Sequence, residues 1–208
     1  IQMRSPTTNR RAMFDVAVAG PLAGLIVAVP ALLVGLQQST IITDAAQTGG
    51  GHMGLGGASV GSSVMLATTA KLALGDALQV GHVLQLSPLA FAGWLGLFIT
   101  ALNLLPVGQL DGGHIARAMF GTRVGQAVST VSLWSMFLLA LFVWPGLFLW
   151  VILIFFIAGR GMPPLNDVTP ISTGRRWLGY AAFAILLAIL LPVPHALWGE
   201  LGIHCPYL

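Results

Sequence analysis

The chain reads as an all-α, polytopic transmembrane helical bundle of about four to five spans, plus a re-entrant or interfacial helix. Three observations predict this. Of the 208 residues, 56% are hydrophobic and only 7% are charged, whereas soluble domains carry roughly 25% charged residues. Apolar runs of about twenty residues recur, long enough to cross the hydrocarbon core of a bilayer. The arginines gather at the ends of these runs: Arg4, Arg10 and Arg11, then Arg117 and Arg123, then Arg160, Arg175 and Arg176. Positive-inside topology places cations there. The length suits one membrane-embedded domain over residues 1–208, incomplete at its N-terminus.

The first run extends from Ala12 to Leu36 and contains Pro21 and Pro30. Gly20, Pro21 and Gly24 permit a kink or a close helix–helix approach, and plain packing is their simplest use. Residues 37–58 are polar and rich in glycine, with Gly49-Gly50-Gly51 and then Gly54, Gly56 and Gly57, which predicts a flexible loop. Ala58 to Leu74 is weakly apolar, carries several Ser and Thr residues and ends near Lys71. It reads as the re-entrant or interfacial helix. Charge parity supports that choice. With Arg4, Arg10 and Arg11 on the cytosolic side, a crossing by 58–74 would export Arg117 and Arg123.

Leu86 to Leu105 is the next span. Val124 to Val143 and Gly146 to Ala158 then form a hairpin around Trp144-Pro145-Gly146, a turn signal, with a short second arm. A polar stretch, 160–175, leads to a last span from Trp177 to Val193. Trp144, Trp150, Trp177 and Trp198 lie near the ends of runs, as interfacial aromatics do. The net charge is +3, but the basic residues form no stripe with interleaved aromatics, so a nucleic-acid partner is not expected. Cys205 is the single cysteine, which excludes an intrachain disulfide and a cysteine-based zinc site. No cleavable signal peptide is evident, and a start at Ile1 points to a fragment or processed chain. No short internal repeat is visible, against a transporter of inverted halves.

The chemistry concentrates at Asn103-Leu-Leu-Pro106-Val-Gly-Gln-Leu-Asp111-Gly112-Gly113-His114. A carboxylate directly after a span is costly in lipid and marks function by default. The alternative is a solvated loop in which Asp111 caps a helix beginning near His114. The pattern Asn-x-x-Pro-x-x-x-Leu-Asp-Gly closely resembles the second metal-binding motif of the site-2 protease family of intramembrane zinc metallopeptidases (peptidase M50). Phe14-Asp15-Val-Ala-Val-Ala-Gly20-Pro21-Leu-Ala-Gly24 resembles an upstream segment of that family. Pro164-Leu-Asn166-Asp167-Val-Thr169 is similar to a segment of its plastid and cyanobacterial branch. The three matches run in family order.

The resemblance implies an intramembrane zinc metalloendopeptidase that uses Zn2+ to cleave membrane-embedded protein substrates. It implies a bacterial plasma membrane, or a thylakoid or plastid membrane. It makes Asp111 a metal ligand and places Asn103 by the active site, in contact with the substrate backbone or the developing oxyanion. Tying adjacent helices through its amide is the other role open to Asn103. Asp15 is assigned to helix capping or packing. The family's other ligands come from a His-Glu-x-x-His helix, whose i,i+4 spacing puts two imidazoles on one face. That motif is absent from these residues: Glu200 is the only glutamate, and His52, His82, His114, His195 and His204 form no i,i+4 pair. His114 more simply starts a cytosolic helix than binds metal. Either the metal helix lies upstream of Ile1, which the family order favours, or catalysis has been lost. A scaffold without catalysis, or part of a channel or transporter, are the readings from other classes.

Overall fold

A computed structural model describes residues 9–42, 53–55, 58–60, 63–75, 83–142, 147–158 and 170–191. These are mostly helical, in chain order α1 (Arg10–Gln37), β1 (Thr40–Ile42), β2 (Met53–Leu55), β3 (Ala58–Val60), α2 (Val64–Leu74), β4 (Val83–Gln85), α3 (Pro88–Leu104), α4 (Asp111–Phe120), α5 (Thr122–Phe142), α6 (Leu147–Ala158) and α7 (Thr173–Leu190). The backbone divides into two compact units. One comprises segments 1–22 and 102–184, the other segments 23–101 and 185–208.

α1 starts where the Asn9 side chain accepts a hydrogen bond from the Ala12 amide at 2.9 Å, satisfying a donor that the first turn leaves over. It then runs for 28 residues without a break at Pro21 or Pro30. Ile26 is 73% exposed and Val27 71%, surface that lipid accepts and water does not. α1 and α5 are the two described helices long and apolar enough, by length and composition, to cross a membrane. α3, expected as a span over 86–105, has 17 residues, roughly 25 Å at the α-helical rise. The short second arm of the expected hairpin is α6, 12 residues long, packed on α5. The Trp144-Pro145-Gly146 turn and the 164–169 segment lie outside the described residues.

The all-α expectation needs one correction. The stretch read as a flexible loop contributes to a four-stranded sheet of order β1-β4-β2-β3. β1 pairs antiparallel with β4, Ile41 facing Leu84. β2 pairs antiparallel with β3 and parallel with β4, through Gly54 and Gln85. Each strand has three residues, too few for a period-2 pattern to register, and the β1–β4 pairing joins residues distant in sequence. The helix expected within 58–74 forms as α2, with the Ser63 side chain capping the Leu66 amide and Gly75 at φ 58 closing it. Its 11 residues reach only about 16 Å, too short to cross a bilayer.

In the second unit α1 and α3 touch backbone to backbone. A Cβ at Gly93 would lie 2.5 Å from the Leu32 amide nitrogen, one at Gly24 would lie 2.7 Å from the Thr100 hydroxyl, and one at Gly35 would run into the Ala90 backbone. Small residues at a helix interface permit this approach, the use expected of Gly24. In the first unit α4 is the central element, with Asp111 through Met119 all buried.

Candidate metal centre

The site is built by the turn between α3 and α4. Past Leu104 the chain doubles back through Pro106, the Val107 amide donating to the Leu105 carbonyl at 2.7 Å and the Leu110 amide to the Val107 carbonyl at 3.1 Å. Gly108 sits at φ +52, a conformation that favours glycine. Its amide donates to the Ser129 hydroxyl of α5 at 2.8 Å, and its carbonyl accepts from Arg117 Nη2 of α4 at 2.5 Å. Both polar groups of this residue are therefore held by side chains.

Leu110 is the N-cap of α4 and contributes no side-chain cap. Asp111 is the first helical residue, where the helix dipole favours a negative charge. It is only 8% exposed, so the solvated capping role does not hold. The helix starts three residues before His114, because Gly112 and Gly113 bring the first turn against the preceding backbone. A Cβ at Gly112 would run into the Leu104 carbonyl, and one at Gly113 would lie 2.6 Å from the Gly108 carbonyl oxygen. On the α1 side, a Cβ at Gly20 would lie 3.1 Å from Asp111 Oδ2. Burial pushes the Asp111 carboxyl above its ordinary range.

His114 is 4% exposed and Arg117 2%. The Arg117 Nη2 lies 3.3 Å from His114 Nδ1, while His114 Nε2 and Arg117 Nε are buried without a hydrogen-bond partner among the described residues. Burial, with the charge of Arg117 adding to it, lowers the His114 pKa to about 4. Arg117, expected as a cytosolic cation at the end of a run, is an internal residue instead. Sequence reasoning missed the pairing of Arg117 and Ser129 with Gly108. The i,i+3 spacing of His114 and Arg117 was the one available signal, and it pointed only to a shared helix face.

Asn103 lies in the last turn of α3, exposed, and no hydrogen bond joins it to Asp111 among the described residues. Asp15 neither caps a helix nor packs inside: its carboxylate accepts two hydrogen bonds from Arg175, both 2.8 Å, on an exposed surface. Nearby, Arg10 Nε donates to the Ala118 carbonyl at 2.9 Å and Arg11 Nε to the Pro170 carbonyl at 3.0 Å. His52, His82, His195, His204, Glu200 and Cys205 lie outside the described residues.

A catalytic zinc needs three protein ligands and an open position. Among the described residues no group of three or more His, Cys, Asp or Glu could hold a metal. Asp111 is one carboxylate donor, and it does not make a zinc centre by itself.

A short buried helix that opens on an acidic residue and packs on the long apolar helix α5 gives a mostly helical protein an internal carboxylate site. Residues 1–144 match the model of Peptidase family M50, and the chain belongs to that family, as a site-2-protease member of plastid type. It is 35% identical over 187 residues to "Probable zinc metalloprotease EGY2, chloroplastic" of Oryza sativa subsp. indica, covering 89% of this chain and 33% of that protein. It is 32% identical over 205 residues to the Arabidopsis thaliana protein of the same name, covering 96% of this chain and 34% of the relative. "Probable zinc metalloprotease EGY1, chloroplastic" of Arabidopsis thaliana is 34% identical over 205 residues, covering 97% and 36%. The chain thus spans about a third of the length of the curated relatives it matches. No solved structure matches it.

Proposed function

We propose that this chain is the aspartate-bearing part of an intramembrane zinc metalloendopeptidase that cleaves membrane-embedded protein substrates, in the manner of regulated intramembrane proteolysis. The observation that carries the reading is the burial of Asp111 at the start of α4, facing a glycine of α1. A carboxylate so placed is costly unless it is protonated or meets a cation. Membership of the family and the names of the relatives support zinc as that cation.

In this reading Asp111 is one oxygen ligand, and the other ligands and the general base come from residues beyond these 208. Asn103 at the end of α3 is the candidate polar contact for the substrate backbone or the oxyanion. Residues 1–208 form one membrane-embedded domain of about four to five spans, in a plastid or thylakoid membrane or a bacterial plasma membrane. The chain alone lacks peptidase activity.

The test is Asp111→Asn in the complete protein. A neutral amide is a poor replacement for a charged oxygen ligand, so cleavage of a reconstituted transmembrane substrate should be nearly abolished and bound zinc should fall. Full zinc content with full cleavage in the variant would overturn the assignment. A wild-type complete protein that binds no zinc and cleaves nothing would favour a non-catalytic homologue, the reading suggested by the lack of a His-Glu-x-x-His motif in these residues.

A further inference from the structure

We propose that Arg117 and Ser129 are positioning residues for the Asp111 carboxylate, acting through the backbone of Gly108; the inference rests on the proposed role of Asp111. Gly108 lies three positions before Asp111, in the turn that leads into α4. Gly108 is in the left-handed region at φ +52, open to several backbone conformations when unrestrained. Here its two polar groups are both engaged, by Ser129 from α5 at 2.8 Å and by Arg117 from α4 at 2.5 Å. With the peptide on each side of it held, Gly108 cannot change φ or ψ without leaving a buried donor or a buried acceptor unpaired.

The placement of Arg117 argues that this grip is its task. Its side chain is 2% exposed, and a guanidinium moved out of water carries a large desolvation cost. Among the described residues it makes no ion pair to offset that cost. Its partners are the Gly108 carbonyl and His114 Nδ1. A residue needed only to fill space would be apolar. One fitted to a carbonyl three residues before Asp111 sets where that turn ends.

The consequence for Asp111 is geometric. The first turn of α4 is pressed on the preceding backbone at Gly112 and Gly113, and Asp111 Oδ2 faces Gly20. A shift of the turn beneath it carries the carboxylate with it. Loosening Gly108 therefore displaces the α4 N-terminus and the carboxylate that it carries. Misplacement of a reacting group by about 1 Å costs up to ~100-fold in rate.

The experiment uses the complete protein in liposomes with a fluorogenic transmembrane peptide, and compares Arg117→Met, Arg117→Lys and Ser129→Ala. Arg117→Met should lower kcat about 10- to 100-fold with KM little changed. Ser129→Ala, which removes one hydrogen bond, should lower it up to about 10-fold. Arg117→Lys, which keeps a donor for the Gly108 carbonyl, should recover part of the loss. A second readout is independent of proteolysis. A cysteine at Leu110→Cys, in a Cys205→Ser background, should react severalfold faster with a water-soluble thiol reagent when Arg117 or Ser129 is changed. If Arg117→Met fails to fold, Ser129→Ala and Arg117→Lys decide. Unchanged kcat and unchanged labelling in Ser129→Ala would overturn the proposal. Wild-type protein that does not cleave the peptide would overturn the protease reading instead, and the labelling rates would then decide the grip on Gly108 alone.

Discussion

Gly20 and Asp111 meet across α1 and α4: a Cβ on the glycine would stand 3.1 Å from the carboxylate oxygen Oδ2. Gly20 and Asp111 belong to motifs some ninety positions apart in sequence, and the contact gives both one physical purpose. The small residue at position 20 leaves room for α1 to lie close over the carboxylate. Gly20→Ala should therefore be tolerated with a modest fall in activity, since the carboxylate need yield only a few tenths of an ångström. Gly20→Val should push it away and lower kcat of the complete protein by about 10-fold or more, with less effect on helix content by circular dichroism. Equal activity in the alanine and valine variants would show that the contact is not used.

The glycine pair after Asp111 should prove structural. Gly112→Ala forces a methyl into the Leu104 carbonyl, and overpacking of this kind typically costs about 1–3 kcal/mol. Gly174, in the first turn of α7, has nothing within 4 Å of the position of a Cβ. There Gly174→Ala should be neutral or stabilising by up to about 1 kcal/mol, from helix propensity alone. Thermal unfolding in detergent should order the proteins Gly112→Ala, wild type, Gly174→Ala, from least to most stable.

Acid should destabilise the first unit through His114. Its pKa is lowered from 6.5 to about 4, chiefly by burial, so the folded protein resists a proton that the unfolded chain accepts. Stability from this residue is full above pH 6.5 and is lost as the pH falls towards 4. Asp111, pushed the other way by burial, is common to wild type and variant. His114→Asn should therefore flatten the fall in unfolding temperature between pH 6.5 and 4. The same slope in both proteins would remove His114 from the account.

The arginine clusters predict the orientation of the chain across the membrane. Single cysteines at Thr48 and Ser172, in a Cys205→Ser background, should label from opposite faces of the membrane. Ser172 lies beside Arg11 and Arg175, which donate to the Pro170 carbonyl and to the Ser172 hydroxyl. Labelling of both cysteines from one face would rule out the arrangement with the 37–85 region on the far side.

Most of the helical architecture was legible in the chain. Long apolar runs have one outcome in lipid, where every backbone amide must be satisfied within its own helix, and α1 and α5 fall close to the limits that hydropathy set. Asp111 was legible for the same reason, since a carboxylate after an apolar run is costly and stands out against its neighbours. The sheet was not legible, because a strand of three residues such as Met53–Leu55 carries no period of its own and depends on partners supplied from elsewhere.

The sequence by itself determined a helical, lipid-compatible chain and its family, because both follow from local composition and from short runs of fixed spacing. Tertiary structure alone decided what surrounds the carboxylate. Whether Asp111 caps a solvated helix or opens a buried one depends on Gly112 meeting the Leu104 backbone. Whether Arg117 faces water or Gly108 depends on how the turn returns over α4. Whether Asp15 caps a helix or pairs with Arg175 depends on where α7 begins. Each involves two segments whose approach is set by excluded volume and by the need to pair buried polar groups, and neither requirement is written in the residues of one segment taken alone.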